Sequence, residues 1–410
     1  GVAADLNNKN SIALKSVLYE QAVTFAKNPD RFLPVVKVDS VEFASLSIGQ
    51  AKGNIFQQNL SRYARFTHFA LENARASQYQ YDQMYASLKN KDVVMVALHD
   101  MSNRASSQFG VRPELTRFLA RLSEVTRVVA VGFGNPYGLK YLQTADYVVA
   151  AYENDPLMQK AVPQVLFGAI NSYATLPVTA SEQLPEGSGQ RVISLGRLGF
   201  ALPEQVGMSS AGLQRIDSLV YKSLADEAAP GCQVLVARNG RVVFQKNYGY
   251  HTYSKKQPVT DESVYDLASL TKVLSTLQGV MLLEEQGKID LDKPVAAYLP
   301  ELQGTNKSGI VLRDVLLHQA GLQSFYPFWN RIMNKRAYNP LYLSNTRNAR
   351  FSVPVTPELF AVEGIADSVW QWTLETDLNR RARYGYYNYR YSDLGFIMMK
   401  ELIERVSGQR

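Results

Sequence analysis

The sequence predicts a two-part chain, an α/β layer domain with a mostly parallel sheet followed by an α+β region. Three observations carry this. Over residues 1–180, helix-period segments alternate with short apolar strands, the pattern of an α/β layer fold. Val93-Val94-Met95-Val96-Ala97-Leu98 is apolar without interruption, as a strand covered on both faces must be. After residue 230 the pattern changes to a hairpin, two apolar strands around Asn239-Gly240, and then to amphipathic helices.

In order, residues 11–26 have a helical period, and residues 41–49 alternate like a strand and end in glycine. Residues 56–69 and 81–88 look helical, and residues 113–124 form a helix with proline in its first turn. Residues 127–136 and 147–152 are further buried strands with their exits, and residues 157–173 are a long helix. Gly132-x-Gly134-x-x-x-Gly138 follows a strand but lacks the dinucleotide-binding spacing and contains Pro136, so a structural turn is the better reading. Residues 181–189 are the clearest linker by composition, and Ser209-Ser210 opens the next helix as a cap. The domain limits expected are 1–180, a linker over 181–208, and 209–410.

Composition narrows the function. The 410 residues have room for two or three domains, and 46% hydrophobic with 20% charged residues is the balance of a soluble globular chain. No apolar stretch is long enough to span a bilayer. The net charge of +7 is dispersed and gives no nucleic-acid stripe; the short run Arg380-Arg381-Ala382-Arg383-Tyr384 reads as a solvated segment. The one cysteine, Cys232, rules out an internal disulfide and reads as a small core residue of a buried strand. His68, His99, His251 and His318 are scattered without ligand spacing, so no metal or other cofactor is expected.

The chemistry centres on Ser269-Leu270-Thr271-Lys272, where a loop becomes an apolar helix. Positions three apart share a helix face, so the Lys272 amine can lie over the Ser269 hydroxyl. A serine alcohol needs such a neighbour to remove its proton, and lysine serves as a base only when its pKa is lowered. The N–H of Ser269 falls among first-turn donors that could receive an oxyanion. Taken alone, the tetrapeptide is better read as an ordinary N-cap serine with an exposed lysine.

The hairpin of residues 230–244, Ser269-x-x-Lys272, residues 283–295, residues 311–322 and Tyr389-Arg390-Tyr391-Ser392-Asp393-Leu394-Gly395 occur in an order that resembles the serine β-lactamase, penicillin-binding protein and esterase superfamily, nearest its class C and D-Ala-D-Ala peptidase branch. The resemblance runs from about residue 199 to residue 410. It implies that Ser269 attacks an acyl carbonyl, Lys272 takes its proton and Tyr391 passes a proton to the leaving group. It also implies that Tyr391-Ser392-Asp393 replaces the family's Tyr-x-Asn, with Asp393 in the substrate-binding position. The aspartate removes an amide donor and adds a negative charge that would raise the Lys272 pKa. His318 falls in a common family segment and reads as a packing and capping residue. Trp370 and Trp372 fall where the family shapes its cleft, and either line a pocket or pack the insertion.

Asp5-Leu6-Asn7-Asn8, Val131-Gly132-Phe133-Gly134-Asn135-Pro136-Tyr137 and Ala151-Tyr152-Glu153-Asn154 resemble the carboxy-terminal α/β sandwich domain of family 3 glycoside hydrolases, particularly the β-N-acetylhexosaminidase-like ones. That family's catalytic residues sit on a barrel this sequence lacks, so none is carried over. His99-Asp100, the one adjacent His/Asp pair, reads as a hydrogen-bonded loop pair. The β-lactamase family's third motif is also absent before Arg410. The expectation is therefore an α/β sandwich fused to an incomplete α+β serine β-lactamase/transpeptidase-like domain, truncated at both ends. Its implied substrates are cell-wall glycopeptides or small acyl compounds outside the cytoplasm of a bacterium. The alternative is an inactive fragment or auxiliary module of a family 3 β-N-acetylhexosaminidase.

Overall fold

The computed structural model describes residues 7–73, 75–335, 337–382 and 384–409. Asp5, Leu6, Arg383 and Arg410, named above, lie outside the described residues. The chain forms two compact units, residues 1–263 and 264–410.

The first unit is organised on a sheet of order β1-β6-β5-β4-β2-β3. The strands are β1 (Thr24–Lys27), β2 (Phe43–Ile48), β3 (Phe66–Leu71), β4 (Val93–Leu98), β5 (Arg127–Gly132) and β6 (Tyr147–Ala150). Neighbours from β3 through β6 are parallel, and β1 closes the β6 edge antiparallel. Successive side chains of β4 feed opposite cores. Val94, Val96 and Leu98 pack with Tyr81 and Leu88 of α3 (Gln78–Leu88) and with Leu115, Phe118, Leu119 and Leu122 of α4 (Pro113–Ser123). Val93, Met95 and Ala97 pack with Phe56 and Leu60 of α2 (Ile55–Leu60) and with Met158, Val162 and Val165 of α5 (Pro156–Leu166). Helices thus cover both faces, which is why β4 has no polar residue. Burying one leucine such as Leu98 contributes about 1.5–3 kcal/mol.

Two segments depart from the helical reading. Residues 56–69 are not one helix: α2 ends at Leu60, and β3 pairs along its whole length with β2. Helix α1 (Lys9–Ala22), capped by Asn8 on the Ser11 N–H, stops before β1, which pairs with β6 instead. In both cases a partner strand distant in sequence supplies the hydrogen bonds that decide the conformation.

The Gly132–Gly138 stretch is a turn filled from one side. A Cβ on Gly134 or on Gly138 would stand 2.4 Å from Met101 atoms, so the two glycines admit that methionine. Residues 181–189 fold back on the sheet, with Leu184 buried in the first core. The hairpin of β8 (Gly231–Arg238) and β9 (Arg241–Gly249) turns through Asn239 and Gly240 at φ 51° and 72°, the pair of positive φ values a two-residue turn requires. The reading of β8 as a buried strand fails. Most of its residues are exposed or half-buried, and Cys232 is half-buried, with burial raising its thiol pKa. Arg241 of β9 reaches the buried Glu20 of α1 at 2.9 Å, tying hairpin to helix. Helix α6 (Ser210–Ala225) is capped by Ser209 on the Gly212 N–H.

The second unit is mainly helical: α7 (Leu277–Glu285), α8 (Leu312–Leu316), α9 (Trp329–Ile332), α10 (Ile365–Leu374) and α11 (Asp393–Ser407). Its core joins Val280 and Leu283 of α7, Leu312 and Val315 of α8, Trp370 of α10, and Met398, Met399 and Leu402 of α11. Trp370 and Trp372 are packing residues. Both are buried, with the Trp370 indole donating to Glu301 at 2.9 Å and Trp372 against Phe328 and Tyr342. No helix of the described residues is long and apolar enough to cross a membrane.

Candidate active site

The approach to Ser269 is set by its neighbours. The Asp266 carboxylate accepts from the Ala268 N–H at 2.7 Å, and Ala268 is held at φ 43°, in the left-handed region that residues with a Cβ avoid. The chain then winds tightly, with the N–H groups of Leu270, Thr271 and Lys272 donating to the carbonyls of Leu267, Ala268 and Ser269. Ser269 itself is exposed at the start of this turn. Lys272–Thr276 is a π-helical turn before the regular winding of α7. Such turns carry one extra residue and recur at functional positions.

The tight turn places the Lys272 amine 3.2 Å from the Ser269 Oγ, to which it donates. The second motif arrives at the start of α11. Ser392 caps that helix, its Oγ accepting from the Gly395 N–H and donating to the Gln323 carbonyl at 2.6 Å. The Asp393 N–H donates to the Ser324 carbonyl at 2.8 Å. This anchoring sets the Asp393 carboxylate 2.6 Å from the Lys272 amine. Tyr391 joins them with its ring centroid 5.0 Å from the Lys272 amine, near enough for Ser269 and Lys272 both to act on its phenol. Ser269, Lys272, Tyr391 and Asp393, 124 residues apart at the extremes, thus meet around the Lys272 amine.

The electrostatics assign different charges to the two candidate bases. Partial burial pulls the Lys272 pKa down, but hydrogen bonds from Asp393 and Tyr391 and their negative charge outweigh it, and the net shift is upward. Lys272 is therefore an ammonium at neutral pH in the resting site. Tyr391 moves the other way. Hydrogen bonds from Ser269 and Lys272, with the lysine's charge, hold its phenol below the usual tyrosine range.

One participant was not read as functional from the sequence. His318, just beyond α8, takes φ 59°, and its ring meets Tyr391 at 4.5 Å between centroids. Its Nδ1 accepts from the Ser392 N–H at 3.1 Å, and its carbonyl accepts from the Arg390 N–H at 2.8 Å. The only local signal is an aromatic polar residue just before Ala320-Gly321 at a helix end. Among the described residues no group of three or more His, Cys, Asp or Glu could hold a metal ion.

Residues 216–410 match the family described as Beta-lactamase. A beta-lactamase of Providencia stuartii is 28% identical over 145 residues, 35% of this chain and 37% of that protein. A putative D-alanyl-D-alanine carboxypeptidase of Salmonella typhimurium is 30% identical over 175 residues, 38% of each chain. Among solved structures, a class C beta lactamase from Rhodobacter sphaeroides aligns at 22% identity and TM-score 0.33, over 49% of this chain and 45% of that one. A family 3 β-N-acetylglucosaminidase from Paenibacillus sp. aligns at 14% identity and TM-score 0.35, over 45% and 34%. The chain spans less than two-fifths of the length of these curated relatives. Its C-terminal half carries a β-lactamase/penicillin-binding-like domain.

Proposed function

We propose that this β-lactamase/penicillin-binding-like region is a serine acyl hydrolase that works through an acyl-enzyme at Ser269. The observation that carries the reading is the convergence of Ser269 and Tyr391 on the Lys272 amine, 3.2 Å from the Ser269 Oγ and 5.0 Å from the Tyr391 ring centroid. Tyr391, its pKa depressed by hydrogen bonding from Ser269 and Lys272 and by the lysine's charge, is in its phenolate form the group suited to accept the Ser269 proton as Oγ attacks the acyl carbonyl. Lys272 acts as the fixed positive charge that keeps more of the tyrosine in that phenolate form. This differs from the sequence expectation, in which Lys272 itself takes the proton. The carbonyl oxygen becomes an oxyanion within reach of the Ser269 N–H. As the C–N or C–O bond breaks, Tyr391 returns the proton to the leaving amine or alcohol. Water then attacks the ester carbonyl, giving up a proton to Tyr391; as the C–Oγ bond breaks Tyr391 passes that proton to Oγ, and the acid is released with the Ser269 hydroxyl restored.

The D-alanyl-D-alanine carboxypeptidase relative suggests peptidoglycan-derived peptides, amides or esters as substrates, which would place the protein outside the cytoplasm. The motifs of the first 180 residues further suggest fusion to a family 3 β-N-acetylhexosaminidase-type module, joined over 181–208 to the hydrolase region 209–410. A fluorophosphonate or fluorescent penicillin probe should label the chain on Ser269, and Ser269→Ala should abolish labelling. Undiminished labelling of that variant defeats the reading. A folded wild type that takes up neither probe would favour the auxiliary-module alternative.

A further inference from the structure

We propose that His318 is a positioning residue that holds Tyr391 against Ser269, and that it does so only as the neutral imidazole protonated on Nε2. The inference rests on the acyl-hydrolase reading for its kinetic consequence but on geometry for its substance. Three contacts from one residue bracket the motif. The His318 carbonyl takes the N–H of Arg390, its Nδ1 takes the N–H of Ser392, and its ring lies against the Tyr391 ring between them. Residues 390 and 392 are thus pinned by one residue, the first through its backbone carbonyl and the second through its side chain, which leaves Tyr391 little freedom to leave Ser269. Phe396, one turn into α11, and Tyr389 complete the aromatic packing around the imidazole at 5.4 and 5.9 Å.

The tautomer follows from the donor. A backbone N–H can only donate, so Nδ1 must present its lone pair to Ser392. Protonating Nδ1 would set two N–H groups against each other and break the clamp. The surroundings act on this equilibrium from each side. Partial burial and the Lys272 ammonium disfavour the imidazolium, the Asp393 carboxylate favours it, and the net effect keeps His318 below the usual histidine range. The left-handed backbone is a second constraint. Among residues with a Cβ, asparagine and aspartate tolerate φ near 59° best, and asparagine also places a non-titrating acceptor where Nδ1 stands.

Two variants of the full chain, His318→Asn and His318→Phe, separate clamp from packing. Below the usual histidine range, where the imidazole takes its second proton, the fluorophosphonate labelling rate of the wild type should fall more steeply with pH than protonation of Tyr391 alone requires. His318→Phe should keep an aromatic ring but label roughly 10- to 100-fold more slowly at every pH, the scale expected when a reacting group is displaced by about an ångström. His318→Asn should recover most of the rate at neutral pH and lose the added acid-side steepness, keeping only the fall that belongs to Tyr391. Wild-type rates and pH dependence in both variants would overturn the inference, as would an unchanged acid-side fall in His318→Asn. Nitrogen-15 histidine NMR of the Ser269→Ala chain reads the clamp without turnover, with His318→Asn assigning the resonance. An unprotonated Nδ1 at neutral pH supports it even if the hydrolase reading fails, and a protonated Nδ1 overturns it even if Ser269 labels.

Discussion

Two places in this chain are where proteins commonly build sites: the carboxy-terminal ends of the parallel strands in the first unit, and the helix start at Ser269 in the second. The strand ends are closed. His99 follows β4 directly and is 2% exposed, stacked on Phe133 at 4.7 Å, with Phe56 edge-on at 6.1 Å. Its Nδ1 meets Asn154 at 3.2 Å, and Asn154 in turn accepts from Gln159 and Gln50. Met101 fills the space the turn glycines leave. The Ser269 site instead keeps its reactive groups open and pairs its charges with one another. His99 and His318 both titrate below the usual histidine range, and burial is the leading cause in each. Only His318 also faces a lysine ammonium, a carboxylate and a phenol. Charged neighbours, and not burial, are what separate these two perturbed histidines.

The comparison is tested hardest by removing the charge that distinguishes the second place. Lys272→Gln should reduce Ser269 labelling by roughly 100- to 10,000-fold, the range for losing acid–base assistance. Urea unfolding of the first unit should not change. Labelling of Lys272→Gln at more than about a tenth of the wild-type rate would mean the ammonium is not what activates the site.

At the closed end the consequence of burial is stability, not rate. Burial lowers the His99 pKa to about 4 from a model-peptide value near 6.5. Between those values the unfolded chain binds a proton that the folded chain refuses, so stability is full above about pH 6.5 and is lost as pH falls toward 4. The loss is on the order of 3 kcal/mol. In His99→Phe, urea unfolding at pH 7 and pH 4.5 should show a correspondingly smaller difference between the two pH values. Equal differences in wild type and variant would show that His99 is solvated enough to charge.

How much of this was legible in the sequence follows from how local each determinant is. β4 was legible because burial on both faces forces an unbroken apolar run. β3 was not. It is an edge strand whose only strand neighbour in the sheet, β2, begins 23 residues earlier, as the register Phe43↔Phe66 shows, and its own alternation is weak. The Ser269–Lys272 pair was legible as spacing, and the closeness of Asp393 to Lys272 followed from the motif resemblance. The exchange of roles proposed for Lys272 and Tyr391 was not, because it rests on net charge at a point where three side chains converge. The His318 clamp joins residues 74 apart through a backbone N–H, which leaves no trace in residue type.

The smallest expected effect separates charge from shape within the site. Asp393→Asn keeps the size and one oxygen acceptor but removes the negative charge 2.6 Å from the Lys272 amine. Hydrogen bonding and charge from Asp393 help raise the lysine pKa, and the same charge opposes ionisation of Tyr391. In the variant Tyr391 faces the ammonium without the carboxylate, so the phenolate forms at lower pH. The alkaline-side rise in labelling rate should therefore move to lower pH, with the rate at neutral pH increasing about fivefold or less. The ceiling is low because the Asp393 side chain is half-exposed, and solvent-screened pairs are worth at most about 1 kcal/mol. Asp393 is also the first residue of α11, where a negative charge is favoured by the helix N-terminus, so a slight drop in melting temperature should accompany the gain. A pH–rate profile that stays in place, or moves to higher pH, would show that Asp393 does not tune Tyr391 and that the family's asparagine position carries no electrostatic weight here.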